Sequence, residues 1–565
     1  MLGKLIVLFL MVKKQRENIN KGKNMKNVNL VVLMGGNATR LEPVSYSLPK
    51  GLCIINSMPA IFNNIQQMIK RGLKQVTIVC NEKNIGVISQ SFEKVYSDVL
   101  KLNFVIQKNA NGPLGALQCA NQHINNSTLV MLGDTLCDCD FSLEKSFVGY
   151  CENKNPDDFS RWCFLNDDET QNITGFNDKP KQKPQTQKIV MGVYFFKDHN
   201  LLKKLLAEDY ESLHGEKQLS SLLSKYMEYE SMFSQKIKNW KDIGTLEDYV
   251  KINTKLLNGR YFNNFKFNGQ TIIKEGEASV IKYEIGWYKQ INQTQLKVFV
   301  PHIIDYKISD GFYSYEMEYL NGHSLHIYNT FLPINLGNWE YILTNLMLTA
   351  NNFWAYDKLK PSLDIVKAGE NIYIEKTISR MKEWKNPISE SEVVELNGQK
   401  LFGWKTVLEK LKTKIDVLIK NCKNNLSIIH GDMNFSNIFY YPEISGFKFI
   451  DPRGKFLEEG IWGDKRYDVA KMRHSFVYNH NKIVQGFFRL DKTAENCFNL
   501  VYDYDINKEN LFNKVIKQFG FDAQEIKIID GLLFLSQIPL HPEDKNFQIV
   551  SYLLGLKMLN ECIGG

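Results

Sequence analysis

The sequence predicts two units of different fold class, an α/β unit with a mainly parallel sheet followed by an α+β unit. Three observations carry this reading. At 565 residues the chain is too long for one hydrophobic core. Before residue 260, apolar strand-like runs alternate with amphipathic helical runs, the pattern of βαβ crossovers. Beyond it, strand-like segments flank a charged helix candidate, and two later short strands each deliver an acidic residue.

Bulk properties narrow the functions open to such a chain. The composition, 44% hydrophobic, 23% charged and 12% aromatic, is that of an ordinary globular protein and excludes disordered and collagen-like classes. The net charge of +8 is small for this length, and Lys and Arg are scattered, so no nucleic-acid surface or polybasic membrane patch is expected. The ten cysteines form no paired C-x-x-C motifs, which points to reduced thiols. Cys137 and Cys139 make a lone C-x-C that reads as packing, because no third or fourth ligand lies near them. The apolar run from Leu5 to Val12 is too short to cross a bilayer, and no small-residue cleavage site follows it. The expectation is a cytoplasmic chain without stable membrane insertion, in which residues 1–24 are an extension ahead of a native start at Met25. Nothing in the sequence sets an oligomeric state.

In the first unit, Leu30 to Met34 reads as a buried strand running into Gly35-Gly36-Asn37-Ala38-Thr39-Arg40-Leu41, with Pro49-Lys50 further on. Small residues let backbone N–H groups approach phosphates, and Arg40 and Lys50 supply positive charge to a triphosphate and its leaving pyrophosphate. The glycine spacing is neither that of a Walker A loop nor that of a dinucleotide fingerprint. A helix over Pro59 to Leu73 and strands over Gln75 to Cys80 and Leu102 to Gln107 follow. Asn111-Gly112-Pro113-Leu114-Gly115 is a second small-residue turn, and the strand Leu129 to Leu132 ends in Gly133-Asp134. A carboxylate at the carboxyl end of a central strand is where α/β folds place ligand chemistry.

These motifs, with Met191-Gly192-Val193-Tyr194 and Trp240-Lys241-Asp242-Ile243-Gly244-Thr245, resemble the nucleotidyltransferase family that makes nucleotide sugars and CDP-alcohols. The resemblance covers roughly residues 25 to 257 and implies a Rossmann-like domain over 25–260. It also implies Mg²⁺ held by Asp134 and Asp242, a nucleoside lying along Gln107, Gly112 and Gly115, and phosphate contacts from Gly35, Gly36, Thr39 and Lys179. One departure stands out: Ala38 occupies a position where the family usually has glycine, so this unit could be a regulatory nucleotide-binding module. A helix from Thr245 to Leu257, stopped by Asn258-Gly259, closes the unit near residue 260.

In the second unit, strand-like Thr271 to Lys274 and Tyr313 to Tyr319 flank a helix around Tyr283 to Gln290. Lys274 and Glu284 are candidates for a phosphate-binding lysine and the helix glutamate that orients it, with Lys282 as a rival. Glu318-Tyr319-Leu320 is the candidate adenine-binding hinge. An amphipathic helix from Gly403 to Asn421 carries a core stripe of Trp404, Val407, Leu408, Leu411, Ile415 and Leu418. Strands Ser427 to Ile429 and Phe447 to Ile450 then deliver His430-Gly431-Asp432 and Asp451. Asp432 suits a base for a substrate hydroxyl, while Asn437 and Asp451 suit magnesium on ATP.

The H-G-D-x-x-x-x-N motif with its strand-borne Asp resembles the aminoglycoside phosphotransferase and choline kinase superfamily, over roughly residues 262 to 565. That implies a protein-kinase-like α+β domain over 261–565 acting on a small molecule. Asp451 is followed by Pro452-Arg453-Gly454 and not by the Phe-Gly of protein kinases, and no Ala-Pro-Glu signature follows. By this resemblance His430 is structural, and Asp464 and Asp468 brace the catalytic loop. Trp354, Tyr356, Trp462 and Tyr467 read as core ahead of an acceptor pocket.

Together the resemblances imply a bifunctional enzyme. ATP phosphorylates a sugar or amino-alcohol hydroxyl, and the phosphate is coupled to a second NTP, CTP or UTP, with Mg²⁺ at both steps. An NDP-sugar for surface polysaccharide or glycolipid is the first expectation, and CDP-choline or a related CDP-alcohol the second.

Overall fold

The alternation of apolar and amphipathic runs is realised in a computed structural model that describes residues 25–36, 39–42, 48–55, 57–109, 111–152, 156–213, 215–256, 263–267, 270–309, 312–356 and 363–564. The extension over residues 1–24, the junction near residue 260 and Ala38 lie outside these residues. The chain divides into two compact units, one ending at Leu256 and one beginning at Leu257.

The first unit is built on a nine-stranded sheet. Its strands are β1 (Asn29–Met34), β2 (Gln75–Cys80), β3 (Lys101–Ile106), β4 (Thr128–Leu132), β6 (Phe147–Glu152), β7 (Cys163–Asp167), β8 (Ile173–Asp178), β9 (Lys188–Phe196) and β10 (Phe233–Lys236), while β5 (Thr135–Leu136) pairs separately with β11 (Lys241–Asp242). The order runs β8-β7-β9-β4-β1-β2-β3, with β6 on β9 and β10 on β6. Strands β4, β1, β2 and β3 are parallel, joined through α1 (Ala60–Lys70), α2 (Ile85–Tyr96) and α3 (Pro113–Cys119). Beyond β4 the pairing changes: β9 runs antiparallel to β4, β6 and β7. The sheet is therefore mixed around a parallel core and not mainly parallel throughout, because helices cross over only between the first strands.

From β1 the chain moves outward through β2 and β3 on one side and then crosses back to β4 on the other side of β1. This is a topological switch point, and the crevice outside the carboxyl ends of such strands is a natural ligand site. Gly35-Gly36 follows β1 and Gly133-Asp134 follows β4. The Gly133 N–H donates to the Leu33 carbonyl at 2.9 Å, holding the two ends together. All six β1 residues are buried, as expected of a central strand covered on both faces.

The second unit opens with a four-stranded antiparallel sheet of β12 (Asn263–Phe267), β13 (Thr271–Glu277), β15 (Phe312–Glu318) and β14 (Ile303–Ser309), in that spatial order. Helix α4 (Ala278–Ile291) follows β13 and packs on it. A helical portion follows, and its core gathers Trp339, Phe353, Phe435, Phe476 and Phe534. Within it the stretch Gly403 to Asn421 is two helices, Trp404–Lys410 and Lys412–Lys420, broken at Leu411. The apolar stripe nevertheless continues, since Trp404, Val407, Leu411, Ile415 and Leu418 are all buried. Among the described residues no helix is long and apolar enough to cross a membrane.

Candidate functional site

In the first unit, the antiparallel β5–β11 pair sets Asp242 opposite Thr135, and the Ile243 N–H donates to the Asp134 carbonyl at 3.2 Å. This brings Asp134 and Asp242, far apart in sequence, to one place beyond the carboxyl end of β4. Lys50 enters from the other side and donates to the Asp134 carboxylate. Arg161 donates to Asp242 at 3.1 Å and to Asp248 at 3.2 Å. Burial, with the nearby Asp134 carboxylate adding to it, pushes Asp242 up to about 6 against the pull of Lys50 and Arg161.

A cavity of about 200 Å³ opens over these groups. Arg40, Lys50, Asp134, Lys179 and Asp242 line it together with Arg161, Trp162 and Trp240. The two indoles meet edge to face at 5.2 Å, and the Arg161 guanidinium lies over Trp162 at 4.6 Å. Lys179 takes a positive φ of 46°, its N–H donating to the Trp162 carbonyl at 2.9 Å. Sequence motifs pointed to the lysines and aspartates. They did not reveal Arg161 and Trp162, which sit in a stretch without a motif and reach the site only through the fold.

The small-residue turns lie beside this cavity. Gln107 is buried, and its amide donates to the Asn111 side chain at 2.9 Å and the Gly112 carbonyl at 3.1 Å. Gly112 holds φ at 92°, and a Cβ there would sit 2.7 Å from the Lys217 carbonyl oxygen, so the turn requires glycine. A Cβ on Gly35 would strike the Gln107 side-chain oxygen, which ties the first loop to the second turn. Gly115 is buried against Asn111, and Gly36 is exposed with open space around it. Arg40 is exposed in a 3-10 turn, Thr39–Leu41; the Thr39 side chain is outside the description.

Asp134 and Asp242 suit a divalent cation by donor chemistry, because magnesium takes one or two carboxylates and completes its shell with phosphate and water. Lys50 and Arg161, which pair with those carboxylates here, carry the same sign of charge as the metal and mark the spot as one that attracts cations.

In the second unit, Lys274 from β13 is buried and donates to both oxygens of Glu284 on α4, at 2.9 and 2.7 Å, and to Asp451 at 3.0 Å. Tyr315 donates to Glu284 at 2.8 Å. Burial pushes Glu284 up to about 7 even beside the lysine, while Asp451 and Glu284 together raise Lys274 against the effect of its burial. The rival Lys282 is half exposed and pairs with Glu459 at 3.2 Å. Asp451 holds a positive φ of 57°, a conformation that is strained for a non-glycine residue and is concentrated at functional sites.

Asp432 sits on the neighbouring loop. It accepts from Asn434 at 2.9 Å and Asn437 at 3.0 Å and pairs with Lys471 at 3.0 Å. Burial works against its charge, but Lys471, His430 and Arg453 hold it below the ordinary carboxylate range. Asn437 directs its amide nitrogen to Asp432, and its side-chain oxygen accepts from the Ser436 hydroxyl at 3.3 Å. His430 is buried against Trp287 and Phe449, and burial lowers its imidazole to about 4, so it is neutral at physiological pH. Asp468 accepts from the His430 and Gly431 N–H groups at 3.0 and 2.7 Å, bracing the loop, and Asp464 caps the following helix. The Glu318 carboxylate pairs with Lys448 at 2.6 Å, and its N–H donates to His302 at 2.9 Å. Trp354 and Tyr467 are core residues.

A family model for nucleotidyl transferases matches residues 29–259. The chain is similar to the bifunctional protein GlmU of Methanococcus aeolicus, 27% identical over 262 residues, covering 44% of this chain and 61% of that protein. It is also similar to the D-glycero-alpha-D-manno-heptose 1-phosphate guanylyltransferase of Campylobacter jejuni, 27% identical over 226 residues, covering 39% of this chain and 96% of that one. Among solved structures, HddC from Yersinia pseudotuberculosis matches at 26% identity, covering 40% of this chain and 98% of that chain with a TM-score of 0.33. The chain thus spans 61% of the length of the GlmU proteins that it matches.

Proposed function

We propose that the first unit is a sugar-phosphate nucleotidyltransferase. The observation that carries this is the convergence of Lys50, Asp134, Asp242, Arg40 and Lys179 on one cavity at the switch point, within the residues matched by the nucleotidyl transferase model. A sugar phosphate oxygen attacks the α-phosphorus of an NTP, the bond to the β-phosphate oxygen breaks, and pyrophosphate leaves. Arg40 and Lys50 neutralise the triphosphate, Lys179 meets the sugar phosphate, and the glycine turns at Gly35 and Gly112 admit the nucleotide. Asp134 and Asp242 would hold magnesium, which would supply Lewis-acid stabilisation of phosphate charge. The name of the Campylobacter relative favours a sugar 1-phosphate over an amino-alcohol phosphate.

The second unit we read as a small-molecule kinase of protein-kinase-like α+β fold. Support comes from the buried Lys274–Glu284 pair reaching Asp451, with Asp432 held anionic beside Asn437. Lys274 orients ATP phosphates, and Asp432 receives the proton of the acceptor hydroxyl. Asn437 and Asp451 would hold the magnesium of ATP, and Glu318 lies at the adenine end. The two units would act in sequence, the kinase product being the phosphate that the first unit activates.

The test is incubation of the full chain with Mg²⁺, each of the four NTPs and a panel of sugar 1-phosphates and phosphocholine, with pyrophosphate release as readout. Formation of an NDP-sugar is expected. Turnover of phosphocholine alone would replace the sugar reading, and NTP binding without pyrophosphate release would make the unit a regulatory module.

A further inference from the structure

The Asp451-Pro452-Arg453-Gly454 turn and the helix carrying Tyr467 and Lys471 build something that phosphoryl transfer from ATP does not itself require. The Arg453 N–H donates to the His430 carbonyl at 2.9 Å, which fixes the backbone beside the Asp432 loop. From there the guanidinium crosses the Tyr467 ring, 5.5 Å from its centroid, and donates to the Tyr467 hydroxyl at 2.7 Å. Lys471 lies 5.9 Å from the centroid of the same ring and 3.0 Å from Asp432. Lys376 and Arg380, from the helix Lys376–Glu383, add two more cations close to Tyr467 and Arg453.

Few carboxylates lie around these cations, and of these Glu383 acts on Arg380. Asp432 pairs with Lys471, Asp464 is engaged by Arg466 at 2.7 Å, and Asp468 is spent on backbone N–H groups. Among the described residues Arg453 and Lys376 form no ion pair, and Arg380 donates to a backbone carbonyl, that of Ser536, at 2.6 Å. Like charges gathered in a half-buried place repel one another, and an anion relieves that repulsion. The titrations agree. Burial and the neighbouring Arg453, Arg380 and Lys471 push Lys376 down to about 8. Burial opposes it, but Arg453, Lys376 and Lys471 draw the Tyr467 hydroxyl down to about 8.

We infer that Arg453, Lys376, Arg380 and Lys471 form an anion-binding pocket beside Asp432, and that the hydroxyl compound phosphorylated there carries a carboxylate or phosphate of its own. This rests on the reading of the second unit as a kinase. In the reaction, the acceptor hydroxyl oxygen bonds to the γ-phosphorus of ATP, the bond to the ADP oxygen breaks, and the hydroxyl proton passes to Asp432. The acceptor's anion remains on the four cations throughout. A cationic amino alcohol would be repelled from the same place, which separates this acceptor class from choline.

The test uses the full chain carrying R40A and K50A, so that the phosphate loop of the first unit contributes no anion binding. Calorimetric titrations compare glycerol 3-phosphate, glycerate and glycerol. The account expects one or both anions to bind at least about tenfold more tightly than glycerol. R453M and K376M should each remove about tenfold of that preference with the melting temperature unchanged. Among the described residues the Lys376 side chain makes no hydrogen bond, so K376M remains informative even if R453M fails to fold. Phosphate-only and carboxylate-only binding distinguish the two sources of the charge. Equal binding of all three compounds, or a preference untouched by both substitutions, would overturn the inference. ADP formation is followed in parallel. Arg453-dependent anion binding without ADP formation on any acceptor leaves the pocket standing and removes the kinase reading. ADP formed on glycerol or choline with no anion preference does the reverse.

Discussion

Asp242 shows how one residue is set by its surroundings. Its carboxyl is pushed up to about 6 by burial and by Asp134, so a falling pH neutralises it earlier than an ordinary carboxylate. Protons and magnesium then compete for the same oxygen atoms. At limiting magnesium, pyrophosphate release should fall as the pH drops through about 6, and saturating magnesium should move the inflection to lower pH. A profile flat from pH 5 to 7.5 at limiting metal would remove Asp242 from the metal site. Lys274 offers a second test, read by denaturant unfolding. Its removal in K274M strands Glu284 in a buried place, a change that costs about 3–5 kcal/mol for a broken buried pair. Glu284 is already raised to about 7 and rises further without its lysine. The unfolded chain ionises near its ordinary value of about 4.3, so the folded variant holds a proton that the unfolded one has lost, and its stability falls as pH rises. The deficit of K274M should be larger at pH 8 than at pH 6. Asp134 and Asp242 could be picked out from the chain because each lies in a Gly-containing motif at a strand, Lys50 because it follows the phosphate-loop motif with Pro49, and Lys274 because it sits in a strand just ahead of a helix that carries Glu284. Arg161 could not, since only the placing of β7 beside the sheet core brings it to Asp242.

At the scale of elements, periodicity located the strands and helices but not their direction or their breaks. Strand β9 is nearly all buried, and a buried apolar run looks the same whether it runs parallel or antiparallel to its neighbour. The helix break at Leu411 was equally silent, because the apolar stripe continues through it and only the backbone, at φ −90° and ψ 0°, departs from the helix. The turn after β3 was legible, because Gly112 announces a backbone that few other residues adopt. Substituting it puts a Cβ against the Lys217 carbonyl in a positive-φ position. G112A should lower the stability of the first unit by about 1–3 kcal/mol and raise the KM for NTP more than it lowers kcat. Calorimetric melting and steady-state kinetics would read both, and an unchanged KM would detach this turn from nucleotide binding.

For the whole molecule, each unit has a hydrophobic core of its own and its own cluster of paired basic and acidic side chains. The nucleotidyl transferase model accounts for residues 29–259, and the reading of the remainder stands on Lys274, Glu284, Asp432, Asn437 and Asp451. The central claim is that one chain carries two separate chemistries used in series. The most direct measurement assays pyrophosphate release and ADP formation side by side in full-length D134A and D432A. The account predicts that D134A lowers pyrophosphate release by at least ~10²-fold with ADP formation intact, and that D432A lowers ADP formation by about 10²–10⁴-fold with pyrophosphate release intact. Loss of both partial reactions in either variant, or survival of ADP formation in D432A, would contradict it.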